Sequence, residues 1–303
     1  MKLRLSREVE SAIANKGAVV ALESTIIAHG MPYPKNLEVA REMSDAIRAS
    51  GATPAIIAIT NGEAIVGMED RMLTDFAQEH HILKTSRRDM AYALSKKITA
   101  ATTVSSTMMI AHTAGIRVFA TGGIGGVHRD ASNTFDESAD ILELARTRVA
   151  VISAGAKAIL DLGHTLERLE THGVPVIGYR TSEFPAFYSS RSGYKVPMRC
   201  DTIEELVELM KAQDSLMHAG GELIVQPLSQ DEEIPFETIE PQIQLALKTA
   251  IEQGISGKDT TPFLLARLNE ITAGRSQIAN RALAISNARL AGQIAVLYAE
   301  QGI

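Results

Sequence analysis

Short, uninterrupted apolar runs that alternate with helix-length stretches constrain this chain more than any other feature. Ala18–Leu22 (AVVAL), Pro54–Thr60, Arg117–Thr121, Val149–Ser153, Pro175–Gly178 and Leu223–Gln226 are of strand length and rich in Val, Ile and Ala. Most carry no apolar–polar alternation, so neither face of such a strand is suited to water. Between and around them lie helix-period stretches, such as Ser6–Asn15 ended by Gly17 and Lys35–Ser50 closed by Gly51. Strands buried on both faces and separated by helices imply an α/β fold with a largely parallel sheet. From about residue 237 the pattern turns helical, over Glu237–Gln253, Thr261–Thr272 and Arg275–Ala299, with caps or breaks at Gly254, Gly257 and Gly274. No Pro/Gly/Ser-rich linker sets these helices apart, so residues 1–303 are expected to form one domain with the C-terminal helices on the same core. Tyr179–Cys200 is the least regular stretch and reads either as an active-site flap or as a long surface connection.

Composition narrows the function. The chain has 30 Lys+Arg against 36 Asp+Glu, a net charge of −6, which argues against a nucleic-acid backbone as partner. Aromatic residues make up 4% and Trp is absent, which disfavours a stacking platform for single strands. Cys200 stands alone, so neither a disulfide framework nor a Cys-based metal site is expected. The opening MKLRLSREVESAIANKG lacks the apolar core of a signal peptide, and no run approaches the roughly 18 apolar residues of a membrane span. A cytoplasmic enzyme with no membrane partner is the expectation.

In parallel sheets ligands sit at the carboxyl ends of strands, and the residues there are suggestive. Glu23 follows the first long strand beside Thr25 and His29, placed either for acid–base work or to cap a turn. Thr121–Arg129 (TGGIGGVHR) is a glycine-rich turn with His128 and Arg129 at its end. Such turns bring backbone N–H groups close to anions, which suits phosphate, although the dinucleotide and P-loop spacings are both missing. In FDESAD, Asp136 is either a helix N-cap or, with Glu137 and Asp140, part of a hard-cation site for Mg²⁺ or Mn²⁺. Paired His ligands are lacking, which disfavours zinc. Lys157, in VAVISAGAKAILDLG, is expected where a small-residue turn enters a helix. Apolar neighbours and a helix N-terminus both favour the neutral, nucleophilic amine that Schiff-base chemistry needs. Lys84, in KTSRRD after a short strand-like HIL, is a candidate phosphate contact.

Taken together, ALESTIIAHGMPYPKN, KTSRRD, TTVSSTM, ATGGIGGVHR, FDESADI, SAGAKAILDL, THGVPVIGYRTSEFPAFY and TPFLLARLNEITAGRSQIAN resemble the pseudouridine-5′-phosphate glycosidase (indigoidine synthase A-like) family over nearly the whole chain. The resemblance implies a three-layer α/β/α sandwich with a largely parallel central sheet and a helical C-terminal part, assembled as a homotrimer. It implies reversible cleavage of the C1′–C5 bond of pseudouridine 5′-phosphate to uracil and ribose 5-phosphate. On the matching motifs, Lys157 is the nucleophile and Glu23 protonates O4′ to open the sugar. Asp136 holds Mn²⁺ mostly through waters. Lys84, Val104, Ser138, Ala139 and Asp140 contact substrate, with His128 and Asn280 also in the pocket. The family's last motif often carries two adjacent Asn residues, where this chain has Ser286–Asn287. A kinase half is not expected in the chain, so a separate pseudouridine kinase would supply the substrate.

Two rival classes share part of this pattern. An aldolase acting on a phosphorylated sugar would use Lys157 and the phosphate turn without any need for uracil. A non-catalytic binder would keep the phosphate pocket alone, but it would have no use for Glu23, Lys157 and Asp136 together.

Overall fold

The computed structural model describes residues 1–216, 220–255, 257 and 260–302. The expected break around Gly254 and Gly257 therefore lies partly outside the described residues. Thirteen strands run in the order β1 (Leu3–Leu5), β2 (Val19–Leu22), β3 (Thr53–Thr60), β4 (Glu63–Val66), β5 (Leu83–Thr85), β6 (Ala100–Thr102), β7 (Val118–Ala120), β8 (Val127–His128), β9 (Ala150–Ser153), β10 (Leu160–Asp161), β11 (Val176–Tyr179), β12 (Met198–Cys200) and β13 (Leu223–Val225). The helices are α1 (Arg7–Ala14), α2 (Lys35–Ala49), α3 (Asp70–Gln78), α4 (Met90–Lys96), α5 (Val104–Thr113), α6 (Ala131–Thr134), α7 (Ala139–Arg146), α8 (Leu162–Thr171), α9 (Ile203–Ser215), α10 (Phe236–Glu252), α11 (Thr260–Ile271) and α12 (Arg275–Glu300).

Eleven strands form one mixed sheet, whose main path is β1-β4-β3-β2-β7-β9-β13-β11-β12, with β6 joining β3 and β5 joining β6. From β3 through β12 along this path every pairing is parallel, as the apolar runs imply. Every residue of β2, β7, β9, β11 and β13 is buried, which accounts for their largely Val/Ile/Leu/Ala composition. The antiparallel joints sit on β3, which pairs with β4 and β6. The expected strands are found within a residue at each end, whereas β1, β4, β6 and β12 are short additional pieces, β4 forming a tight hairpin with β3.

Helices flank the sheet in an α/β/α arrangement. The helix α12 lies across β2, β7 and β9 and packs on α2 and α9, while α5 packs on β2, β3 and α7. The contact face of α12 is broad, with Ala284, Ala288, Ala291 and Ala295 buried at helical spacing alongside Leu283, Leu290 and Ile294. Its far end closes an ion network. Arg117, just before β7, donates to Glu222 at 2.7 and 3.0 Å and to Asp214 at 3.0 Å, and Tyr298 of α12 donates to Asp214 at 2.6 Å.

The stretch 179–200 is neither flap nor surface connection in its middle. Phe184, Ala186, Phe187, Tyr188 and Ser189 are all buried, with the Phe187 and Tyr188 rings edge-on at 4.8 Å. The motif EFPAFY carries its own apolar side chains inward, a packing role that its irregular backbone conceals from pattern reading.

Glu222 is fully buried and depends on Arg117 for its charge balance. Arg117→Ala should therefore lower the unfolding free energy by roughly 3–5 kcal/mol, read by urea denaturation. A loss below about 1 kcal/mol would mean that the network is solvated and contributes little.

Candidate active site

Strands β2, β7 and β9 are neighbours, so whatever follows them shares one edge of the sheet. Glu23 comes straight after β2, Thr121 straight after β7, and Lys157 on the turn beyond β9. With Lys84 of β5 and Asn280 of α12 they line one cleft, walled by Phe187 and covered by Pro262 and Leu265 of α11. Four residues singled out from sequence thus meet in space: Glu23, Lys84, Lys157 and Asn280.

Glu23 is only 7% exposed. Burial pushes its carboxyl above the ordinary value. The Lys157 ammonium and a hydrogen bond from Thr121 oppose this, Asp140 reinforces it, and Lys84 opposes it again, with a net rise. Thr121 Oγ1 donates to Glu23 Oε1 at 2.5 Å. The Thr121 carbonyl in turn accepts from Asn287 Nδ2 at 2.8 Å, and Asn287 Oδ1 accepts from Gln226 Nε2 at 2.9 Å. Ser286 Oγ accepts from the same Gln226 amide at 3.2 Å, so the Ser286–Asn287 pair sits in the outer part of this network. Thr121 and Gln226 were missed as functional candidates, although the reasoning that singles out Glu23, a polar residue at a strand's carboxyl end, applies equally to them.

Past the ends of β7 and β9 the two chains stay zipped together. Thr121 N donates to Ile152 O, Ala154 N to Gly122 O, Ile124 N to Gly155 O and Lys157 N to Ile124 O, each at 3.0 Å. The zipper closes in the antiparallel pair β8–β10, with Leu160 opposite His128. The helix expected to begin near Lys157 begins instead at Leu162, where the Asp161 carboxylate caps it by accepting from His164 N at 2.9 Å. Pairing with residues some thirty positions away claims Leu160 and Asp161 first, and a local reading cannot see that partner. Lys157 therefore owes its setting to the turn, not to a helix dipole; it is half-buried, between the buried Ala156 and Ala158.

The glycine-rich turn is also built differently from expectation. Ile124 N is taken by Gly155 O at 3.0 Å, Gly125 N by Asp140 Oδ2 at 2.8 Å, Val127 N by Thr165 Oγ1 at 3.0 Å and His128 N by Asp136 O at 3.0 Å. These four amides are occupied by the protein, while Gly122 and Gly123 at the start of the turn line the cleft. The glycines permit close approach instead: a Cβ on Gly125 would stand 2.2 Å from Ser138 Oγ, and Gly155, at φ +82°, would set one 2.4 Å from Pro185 O. Arg129, expected at an anion site, is paired with Glu240.

The carboxylates of FDESAD separate. Asp136 is not the helix cap: α7 begins at Ala139, and Ser138 caps it by accepting from Asp140 N at 3.2 Å. Glu137 pairs with Arg168 at 2.9 Å. Asp140 is buried and accepts from Ser105 N at 3.0 Å and Gly125 N at 2.8 Å, which ties α5 to the glycine turn. Asp136 alone stays open, its side chain 40% exposed and one oxygen 3.8 Å from His128 Nε2. Among the described residues no three acidic, His or Cys groups gather as a metal cage. A single accessible carboxylate suits a hard ion that keeps most of its waters. Burial holds the His128 imidazole below its usual range, Asp136 opposing and Lys84 and Lys157 reinforcing the shift. Val104, Ser138 and Ala139 lie at the starts of α5 and α7, outside the lining of the cleft.

The family model described as Indigoidine synthase A like protein matches residues 8–297. The chain is 52% identical to a pseudouridine-5′-phosphate glycosidase of Solibacter usitatus, covering 97% of this chain and 99% of the relative. It is 50% identical to one of Clostridium botulinum strain Langeland, covering 97% and 96%. Among solved structures, the prealnumycin C-glycosynthase AlnA in complex with ribulose 5-phosphate superposes with a TM-score of 0.92 at 36% identity, covering 99% of this chain and 98% of that one. An indigoidine synthase A-like protein of Thermotoga maritima superposes at 0.90 and 33%, covering 99% and 97%.

A carboxyl raised above its ordinary value of 4.5 adds stability while it is protonated, and that stability is lost as pH climbs through the folded-state value. Glu23→Gln should therefore unfold at a higher temperature than the wild type near neutral pH, with the gain disappearing below pH 4.5. Melting both proteins from about pH 4 to about pH 8 tests this, and a difference independent of pH would contradict the raised value.

Proposed function

The chain belongs to the Indigoidine synthase A like family, and on that premise we propose that it is a pseudouridine-5′-phosphate glycosidase. It cleaves the C1′–C5 bond of pseudouridine 5′-phosphate with water, reversibly, to uracil and ribose 5-phosphate. The observation that carries this reading is one cleft holding a buried, raised carboxyl (Glu23) beside two lysines (Lys84 and Lys157), in a chain half identical to glycosidases of that name.

The bond explains the equipment. Two-carboxylate glycosidases protonate a leaving oxygen, and a C-glycoside has none to protonate. A carboxyl raised above its ordinary value can instead deliver its proton to O4′ as the sugar ring opens. Thr121 donates to Oε1 of Glu23, which leaves Oε2 as the oxygen to carry that proton. Lys157 Nζ bonds to C1′ as the C1′–O4′ electron pair leaves on O4′; the attached nitrogen then gives up a proton, and its lone pair forms an imine as the C1′–C5 electron pair leaves on uracil C5, which takes up a proton. Water hydrolyses the imine, releasing ribose 5-phosphate and free Lys157. In the reverse direction the same imine is the electrophile that uracil C5 attacks.

Lys84 and His128 take the phosphate in this reading, bordered by Val104, Ser138 and Ala139. Asp140 holds the wall between them, and Asn280 meets the base. Asp136 would hold Mn²⁺, or Mg²⁺, through its one open carboxylate. When bound, that ion supplies positive charge to the substrate's oxygens. The family resemblance further suggests a homotrimer. No helix among the described residues is long and apolar enough to cross a membrane.

Lys157→Ala should abolish turnover and still bind ribose 5-phosphate, and borohydride with ribose 5-phosphate should add mass at Lys157 in the wild type only. An adduct on another lysine, or an active variant, overturns the assignment. Asp136→Ala should lose most activity at limiting Mn²⁺ and recover part of it at high Mn²⁺. Identical metal dependence in variant and wild type would remove Asp136 from that role.

A further inference from the structure

The one basic residue of the glycine turn that the reaction leaves unused is Arg129, and its guanidinium is fully engaged. Nη2 donates to Ala158 O at 2.8 Å and Nε to Leu160 O at 3.3 Å. The other side of the fork meets Glu240 of α10, with Nη1 at 2.5 Å from Oε1 and Nη2 at 3.0 Å from Oε2. Glu240 is itself fixed by Gln244, whose Nε2 donates to Oε1 at 2.7 Å. Burial would raise the Glu240 carboxyl, but the hydrogen bonds from Arg129 and Gln244, with the Arg129 charge, bring it below its ordinary value.

Ala158 and Leu160 lie directly beyond Lys157. The zipper holds the nucleophile's backbone from one side, through Lys157 N on Ile124 O at 3.0 Å. On the other side the turn closes with Leu160 N on Lys157 O at 3.0 Å, and its two outward carbonyls are the pair that Arg129 grips. We propose that Arg129 and Glu240 are positioning residues for Lys157, a clamp from α10 that holds the 157–160 turn so that the amine meets C1′. The inference rests on Lys157 as the nucleophile. Only a planar fork can serve two carbonyls and a carboxylate together, and a misplacement of about 1 Å in a reacting group can cost about 10²-fold in rate.

The test is the rate of borohydride-trapped adduct at saturating ribose 5-phosphate, measured with kcat and KM in wild type, Arg129→Lys and Glu240→Gln. Arg129→Lys keeps the charge and loses the fork, so trapping and kcat should fall together by about 10²-fold with KM nearly unchanged. Glu240→Gln leaves the arginine in place with a neutral partner, and should fall by about tenfold. In the double variant the losses should be smaller than the product of the single ones, because the two residues act as one unit. Glu240→Gln keeps the proposal open to refutation should Arg129→Lys fail to fold. Trapping at the wild-type rate in a folded variant, or a rise in KM alone, overturns the clamp while Lys157 stands as nucleophile. Absence of any adduct in the wild type instead overturns the reading on which the clamp rests.

Discussion

The site depends on strand pairing that continues past the end of the strands. Parallel neighbours lie about 4.8 Å apart, and β7 stands between β2 and β9, so the ends of β2 and β9 are roughly 10 Å apart. A carboxylate fixed at one edge and a lysine free on a mobile loop would meet only occasionally. The hydrogen bonds from Thr121 to Lys157 carry the register of β7 and β9 outward and deliver the lysine backbone to a defined place. The long lysine stem then spans the remaining gap. Between the two, Thr121 takes the position of β7 and joins the acid to the zipper.

Glycine makes that continuation possible. At Gly125 and Gly155 the neighbouring chain comes closer than any Cβ permits, and the saved space is filled by Ser138, Asp140 and Pro185. The amides of Ile124, Gly125, Val127 and His128 consequently bind protein acceptors. Lys84 and Lys157 line the same cleft, and their charges join burial in holding the nearby His128 imidazole below its usual range. The buried acid is costly, since a neutral isostere would suit its surroundings better.

The parallel sheet was legible because its strands are buried on both faces, so composition alone marks them: VVAL, AVIS and LIV admit little else. Helices with clear caps were legible for the same local reason. The pieces that escaped are those defined by a partner far away. Leu160 and Asp161 look like the start of a helix until residues 127 and 128 are known to lie beside them. EFPAFY reads as loop because its regularity is in where its side chains go, not in its backbone. In the site, Glu23, Lys84 and Lys157 were visible through their positions after or within strands. Arg129 was noticed for its charge, yet what it binds is a pair of carbonyls and a carboxylate, and no spacing in the sequence announces that.

One further consequence follows from α12. This helix covers β2, β7 and β9 and also places Asn280 in the cleft. A ribosome makes every one of those strands well before it makes their cover. The middle of the sheet therefore gains this cover, and the cleft its Asn280 wall, only after all three strands have been made.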